Sequence, residues 1–366
     1  MAETTPGDSI RVALVGAGLI ADLRHLPAFR DVGPAAEVVA LVDVDPERLG
    51  QVASAWDIPG RYTALDRMLV DEDPELVVLC TPPHLHRDQV AAVLESGAWA
   101  WCEKPPTLSL AQFDAMVAGE RDGGPYAPIV FQQRFGSGAR HARELLSSGA
   151  VGRPLFAHCD TSWFRDDAYF SESWRGSFTG DGGPLMALGI HQIDLLLMLL
   201  GPWQEVAALT ASTGRDVETG DVSAAAVRFE NGALASVTTS AVSPRQRSHI
   251  RVDAERATIE VHFLYDHGNT DWSLTPAPGV DDATAATWAN SLPDTRSGHL
   301  AQLRAVLADL RAGRRPETSG DGGRGALELV TAVYRSAITG EVTKRGQITP
   351  DDPFYHRLDG RPGGAR

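Results

Sequence analysis

Cysteine is scarce in this chain. Three in 366 residues, Cys80, Cys102 and Cys159, are too few for a disulfide framework, and no CxxC spacing points to zinc, so no metal site is expected. Positive charge is scarce too. The formal net charge is −15, a surface that repels phosphate polymers and anionic lipid and so argues against nucleic acid and membranes as partners. The longest purely apolar run, Leu195 to Leu200, is too short to cross a bilayer. The opening MAETTPGDS lacks the basic and apolar regions of a signal peptide, and a cytoplasmic protein is expected. What remains is ordinary: 43% apolar and 22% charged residues, in a length that suggests two domains.

The first third alternates in period. IRVALV (Ile10–Val15), EVVALVD (Glu37–Asp43), ELVVLC (Glu75–Cys80) and AWAWC (Ala98–Cys102) read as strands. Leu19–Arg30, Pro46–Ala55, His86–Ser96 and Ser109–Glu120 read as helices between and after them. This rhythm predicts an α/β domain with a doubly wound parallel sheet. The turn-rich RDGGPYAP (Arg121–Pro128) marks a boundary, giving domains 1–125 and 126–366. IVFQQRF (Ile129–Phe135) resumes as a strand. Beyond it RPLFAHCDTSW, VSAAAVRFE and ALASVTTSAV read as strands, and Asn231-Gly232 supplies a hairpin turn between the last two. His249–Ala254 and Ala257–Phe263 read as another hairpin. The second domain is therefore expected to be α+β with a large, mainly antiparallel open sheet. Pro276–Gly298 reads as a long polar loop, His299–Ala312 and Gly325–Thr339 as helices closing that domain, and the final DGRPGGAR as disordered.

VGAGLIA places Gly16-x-Gly18-x-x-Ala21 between a strand and a helix, with Asp43 ending the next strand. Gly16 permits the tight turn, and Gly18 lets the backbone approach a pyrophosphate. Gly18, Leu19 and Ile20 open a helix whose free N–H groups suit the anion. Asp43 is placed to accept both ribose hydroxyls, which favours NAD(H), while nearby Arg48 keeps NADP(H) admissible. This is the Rossmann dinucleotide pattern. TPPHLH (Thr81–His86) leaves a strand at its carboxyl end, where Thr81 and Pro82 would border the cofactor; His86 reads as a packing residue. In WCEKPP (Trp101–Pro106), Pro105 pushes Lys104 toward extended backbone, where an ammonium can stabilise a developing alkoxide.

VALVGAGLIADLRHLPAF, TPPHLHRDQV, CEKPPTLS and GGPLMALGIHQIDLL follow one another as in the glucose–fructose oxidoreductase/inositol dehydrogenase (Gfo/Idh/MocA) family. The resemblance runs from about residue 10 to 355. It implies NAD(P)-dependent oxidation or reduction at a carbinol carbon of a sugar, cyclitol or sugar acid. It implies Lys104 and His191 as the catalytic pair, His191 taking the proton while a hydride passes to the nicotinamide. Glu103, in the same motif, and Gln132 are expected beside the cofactor.

His191 alone, in the apolar LMALGIHQIDLLLMLL, reads as core; the family pattern makes it the catalytic candidate. Family members usually carry aspartate or asparagine four residues earlier, where this chain has Ala187. That departure keeps two alternatives open: a redox-cycling enzyme with tightly bound NAD and no net oxidation, and a non-catalytic dinucleotide-binding sensor. Asp194 is expected to support the site from the other side of the histidine. Arg165, Tyr169, Trp174 and Arg175 either line a sugar site or serve as core and a structural ion pair. A homodimer or homotetramer is expected to cover the open sheet.

Overall fold

The computed structural model describes residues 9–172, 174–262 and 265–361. The chain divides into two compact units. The first comprises the residues through Thr107 together with Gln112–Val130 and His299–Arg324. Its five parallel strands are β1 (Ile10–Val15), β2 (Ala36–Val42), β3 (Gly60–Tyr62), β4 (Leu76–Leu79) and β5 (Trp99–Cys102), in the order β3-β2-β1-β4-β5. The strands at the centre are apolar along their whole length because helices cover both faces. The order reverses between β1 and β4, whose carboxyl ends therefore form the crevice where such sheets bind ligands.

The second unit holds Leu108–Ala111, Phe131–Gly298 and the chain from Gly325 onward. Its sheet contains β6 (Pro154–Ser162), β7 (Trp203–Ala211), β8 (Val222–Phe229), β9 (Leu234–Ser240), β10 (Arg247–Ala254), β11 (Ala257–Val261), β12 (Trp272–Pro276) and β13 (Thr343–Lys344). The order is β12-β11-β10-β6-β9-β8-β7-β13, and only β6 and β9 run parallel. Burial alternates along β8: Ala225, Val227 and Phe229 are buried, while Ala224, Ala226 and Arg228 are exposed. The helix Ile190–Leu200 packs on β6 and β10 and is buried on nearly every side, as its apolar composition requires. Asn231 and Gly232 (φ 89°) make the expected turn between β8 and β9.

Several sequence expectations need correction. Helix His299–Ala312 belongs to the first unit, where Leu303, Val306 and Leu307 share a core with Leu26, Phe29 and Trp101. A helix's apolar stripe does not say which core it fills. Ile129–Phe135 is not a strand: Ile129 makes a single parallel bridge to Cys102, and Gln132–Phe135 is a 3₁₀ turn. The helix after the glycine loop begins with a wide π turn, Ala21–His25, before the α-helix Leu26–Val32. The polar stretch after residue 276 contains a short helix, Asp282–Ala286, capped by Asp281. The strands β3, β7, β12 and β13 and the helix Ser137–Ser147 escape the sequence reading; three of these strands are sheet edges, where the period-2 signal is weakest. Near the end, Asp359 is buried and paired with Arg357 at 2.9 Å, so order extends into DGRPGGAR; Pro362–Arg366 lie outside the described residues. Phe263, expected at the end of β11, lies outside them too. Among the described residues no helix is long and apolar enough to cross a membrane.

Candidate active site

In the first unit the glycine loop leaves β1 at the crevice. Gly16 has φ +95°, and a Cβ there would meet the Cys80 carbonyl carbon and oxygen at 3.0 Å. A Cβ on Gly18 would enter open space, so this is the position that lets a ligand reach the backbone. Asp43 lies beside the loop. Its Oδ2 accepts the Ala17 N–H at 2.7 Å and its Oδ1 accepts the Asp45 N–H at 2.9 Å. Each carboxylate oxygen keeps a lone pair for a ribose hydroxyl. Arg48 Nε approaches Asp43 at 3.8 Å, and Arg48 also pairs with Asp45 at 3.1 Å. Leu19 (78% exposed) and Val44 (87% exposed) are large apolar side chains left bare beside this cradle. The cradle, the acid and the bare apolar rim fit an adenine dinucleotide.

The second wall of the crevice is tied together by His86. It is fully buried, with Nε2 2.8 Å from the Thr81 carbonyl oxygen and Nδ1 3.1 Å from those of Pro105 and Pro106. It thereby fixes the Thr81–Pro82 turn against the segment after Lys104, the packing role read from the sequence. The Thr81 hydroxyl donates to Gln89 at 2.5 Å.

Glu103 is buried, and its carboxylate is already occupied. Oε1 accepts from His25 Nε2 at 2.8 Å and from His299 Nε2 at 3.2 Å; Oε2 accepts the Lys104 N–H at 3.0 Å. Burial alone would raise the Glu103 carboxyl, but the two imidazole hydrogen bonds outweigh it and hold the group well below the usual carboxylate range. Burial pushes the His25 imidazole down, so a neutral ring donates to an ionised carboxylate. The acid expected beside the cofactor thus braces the backbone of Lys104. His25 was missed by sequence reasoning. It shares the buried helical face of Ala21 and Phe29, and an imidazole in a core needs a partner. Lys104 itself is one of only two lysines in the chain, the other being Lys344; arginine supplies every other cationic side chain among 33 Lys plus Arg.

In the second unit, His191 is buried near the start of Ile190–Leu200, directly after a π-helical turn, Leu185–Gly189, that contains Ala187. The wide turn changes the four-residue spacing from which an α-helix would place Ala187 one turn below His191. Asp194 is not a spare acid. It is buried and held by Arg134, whose Nε donates to Oδ2 at 2.8 Å and whose Nη2 donates to Oδ1. This bidentate pair engages both oxygens of the carboxylate. Gln132 is buried, and its Oε1 meets no donor among the described residues.

A continuous tract of rings starts at His191. Tyr265 lies edge-on to it with centroids 5.5 Å apart, and Trp163 lies 5.5 Å from Tyr265. The Arg165 guanidinium sits 4.2 Å from the Trp163 centroid and 5.1 Å from that of Tyr169. Arg175 sits 4.0 Å from the Tyr169 centroid and 4.2 Å from that of Trp174. The four residues singled out from SWFRDDAYF and WRGSF therefore form one cluster. Tyr265 and Trp163 connect it to His191, a link no sequence pattern announces.

Comparison with known proteins agrees with this architecture. Residues 10–125 match the oxidoreductase family with an NAD-binding Rossmann fold, and residues 139–260 match the GFO/IDH/MocA C-terminal domain. D-apiose dehydrogenase of Paraburkholderia graminis is 29% identical over 377 positions, covering 96% of this chain and 94% of that protein. D-glucoside 3-dehydrogenase of Escherichia coli is 26% identical over 93% of this chain and 99% of that one. The WlbA dehydrogenase of Bordetella pertussis, crystallised with NADH and UDP-GlcNAcA, superposes with a TM-score of 0.81 at 28% identity, covering 92% of this chain and 98% of that one. The chain belongs to the Gfo/Idh/MocA family of NAD-dependent oxidoreductases.

Proposed function

We propose that this enzyme interconverts an alcohol and a ketone at a carbinol carbon of a sugar, cyclitol or sugar-acid substrate, with His191 as general acid/base and Lys104 as the cation that polarises the reacting oxygen. NAD, when bound, supplies the two-electron acceptor or donor. Gly16, Gly18, Leu19 and Ile20 would cradle its pyrophosphate; Asp43 would hold the ribose, and Thr81, Pro82 and Gln132 would border the nicotinamide end. Glu103 would act one step back, through Lys104.

The observation that carries this reading is the tract of rings running from His191. Aromatic faces beside an imidazole suit the apolar faces of a sugar ring, and they keep bulk water from the base. An imidazole held there can take a hydroxyl proton as the hydride leaves the same carbon. The two-lysine composition supports the role of Lys104. A chain that uses arginine nearly everywhere keeps a compact ammonium at this turn, and a guanidinium presents its charge as a broad planar fork. The named activities of the relatives, on apiose and on glucosides, fall in the same substrate class.

The test is NAD-linked turnover over a panel of sugars, cyclitols and sugar acids, comparing the native enzyme with Lys104→Arg. Turnover by the native enzyme and a loss of at least about 100-fold in kcat for the variant, the size expected for a misplaced electrostatic group, supports the reading. A fully active Lys104→Arg enzyme refutes the role given to Lys104. We further propose that a second subunit covers the open face of the second unit's sheet, where Leu209 is 74% exposed.

A further inference from the structure

Arg165 and Arg175 share one tyrosine, and among the described residues neither forms a salt bridge. Both guanidiniums stand over Tyr169, at 5.1 and 4.0 Å from its centroid, and each has a second aromatic ring, Trp163 or Trp174. Stacking of this kind uses the face of a guanidinium and leaves its in-plane N–H donors directed outward. Arg165 gives one N–H to the Phe164 carbonyl at 3.0 Å, while its Nε is buried without an acceptor. Among the described residues the Arg175 guanidinium makes no hydrogen bond or close salt bridge; the charge of buried Asp181 acts on it, an electrostatic interaction without a direct bond.

The acids close to them in sequence bond to other groups. Asp166 caps the Tyr169 N–H at 2.9 Å. Asp167 pairs with Arg215 at 3.1 Å. Glu172 accepts the Trp174 indole N–H at 2.7 Å. Asp181 is buried and accepts the N–H groups of Gly176 and Gly183 at 2.9 and 2.8 Å. In a chain of net charge −15, most other arginines of this unit find a carboxylate, as Arg134 finds Asp194 and Arg335 finds Asp352. Two cations gathered on one ring, oriented by aromatic faces and without a carboxylate salt bridge among the described residues, make a preorganised site for an anion.

We propose that Arg165 and Arg175 bind an oxyanion carried by the substrate, so that the enzyme acts on an acidic sugar rather than a neutral one. This rests on the reading of His191 as the acid/base, because the ring tract joins the cluster to that residue. A carboxylate and a phosphate offer the same chemistry to a guanidinium fork, and the test separates them.

Binding to the full-length protein is measured by tryptophan fluorescence, which Trp163 and Trp174 report from within the cluster. The probes are D-glucose, D-glucuronate, D-galacturonate and glucose 6-phosphate, each titrated with and without NAD. The same compounds are assayed for NAD-linked turnover. At least one acidic probe should bind at least about tenfold more tightly than D-glucose, as one charge-assisted hydrogen-bonded pair is worth. Preference for the uronates identifies a carboxylate, and preference for glucose 6-phosphate a phosphate. Arg165→Gln and Arg175→Gln should each bring the acidic and neutral probes to within about twofold of one another, with NADH affinity unchanged. Arg175→Lys should keep part of the preference. No acidic probe binding above D-glucose, or a preference that survives both glutamine variants, overturns the proposal. Acid binding that persists in Lys104→Arg and His191→Ala while turnover is unaffected by those changes instead refutes the catalytic reading and leaves the anion site standing.

Discussion

His25 Nε2 lies 2.8 Å from Glu103 Oε1, with both side chains buried. This bond ties the helix after the glycine loop to the turn that carries Lys104, and His299 adds a second donor to the same oxygen. Glu103→Gln keeps an acceptor for the imidazoles but puts an NH₂ where the Lys104 N–H now finds an oxygen. We expect kcat to fall by at least about tenfold with NADH affinity within twofold, because the change acts on lysine placement and not on the dinucleotide cradle. His25→Gln, which can still donate to Glu103, should retain more activity than His25→Leu. Steady-state kinetics with an NADH fluorescence titration separates the two effects; equal activity of both His25 variants contradicts the bracing role.

Asp43 should decide between the two dinucleotides. Loss of its carboxylate removes charge-assisted bonds to the ribose worth about 1.5–3 kcal/mol, so Asp43→Ala should weaken NADH binding by more than tenfold. NADPH should lose little, since Arg48, now 3.8 Å from Asp43, is freed toward a 2′-phosphate. Asp43 also accepts the Ala17 N–H, so Asp43→Asn separates the brace from the charge. Equal losses for both dinucleotides in Asp43→Asn would count against the ribose role.

The Arg134–Asp194 pair predicts a stability pattern. Arg134→Met strands a buried carboxylate and should cost about 3–5 kcal/mol in urea unfolding, whereas Arg134→Met with Asp194→Leu should recover most of that loss. If the double variant is no more stable than the single one, the pair is not the unit described here.

Acid should destabilise the fold well before general carboxylate protonation. Burial lowers His25 and His86, and lowers His267 to about 4, from a usual value near 6.5. Below that usual value the unfolded chain takes up protons that the folded one refuses, so stability falls as the pH drops from about 6.5 toward 4. Glu103 adds to this at lower pH, because its depressed carboxyl contributes stability that is lost as it protonates. Melting temperature followed across this range should decline steadily; a flat profile between pH 7 and 5 contradicts the burial of neutral imidazoles.

The local signals were legible. Glycine spacing, the acid at the end of the second strand and EKPP all report backbone needs within a few residues, and the structure places Gly16, Gly18 and Asp43 together. What escaped depends on distance along the chain. Glu103 meets His299 across 196 residues, and Asp194 meets Arg134 across 60, so neither partner shows in any window of sequence. Helix His299–Ala312 has an apolar stripe that either core would accept, and its membership is decided by packing. One signal was present and unused: with only two lysines in 366 residues, Lys104 stands out by composition alone.

The central claim is that Lys104 and His191 perform the chemistry on a cofactor held by other residues. It is tested most directly by NAD-linked turnover of Lys104→Arg and His191→Ala, on whichever substrate the native enzyme uses best, beside NADH affinities for both. The account predicts that each variant loses at least about 100-fold in kcat, the scale of a lost general base or polarising group, while binding NADH within twofold of the native enzyme. Turnover near the native rate in either variant contradicts it.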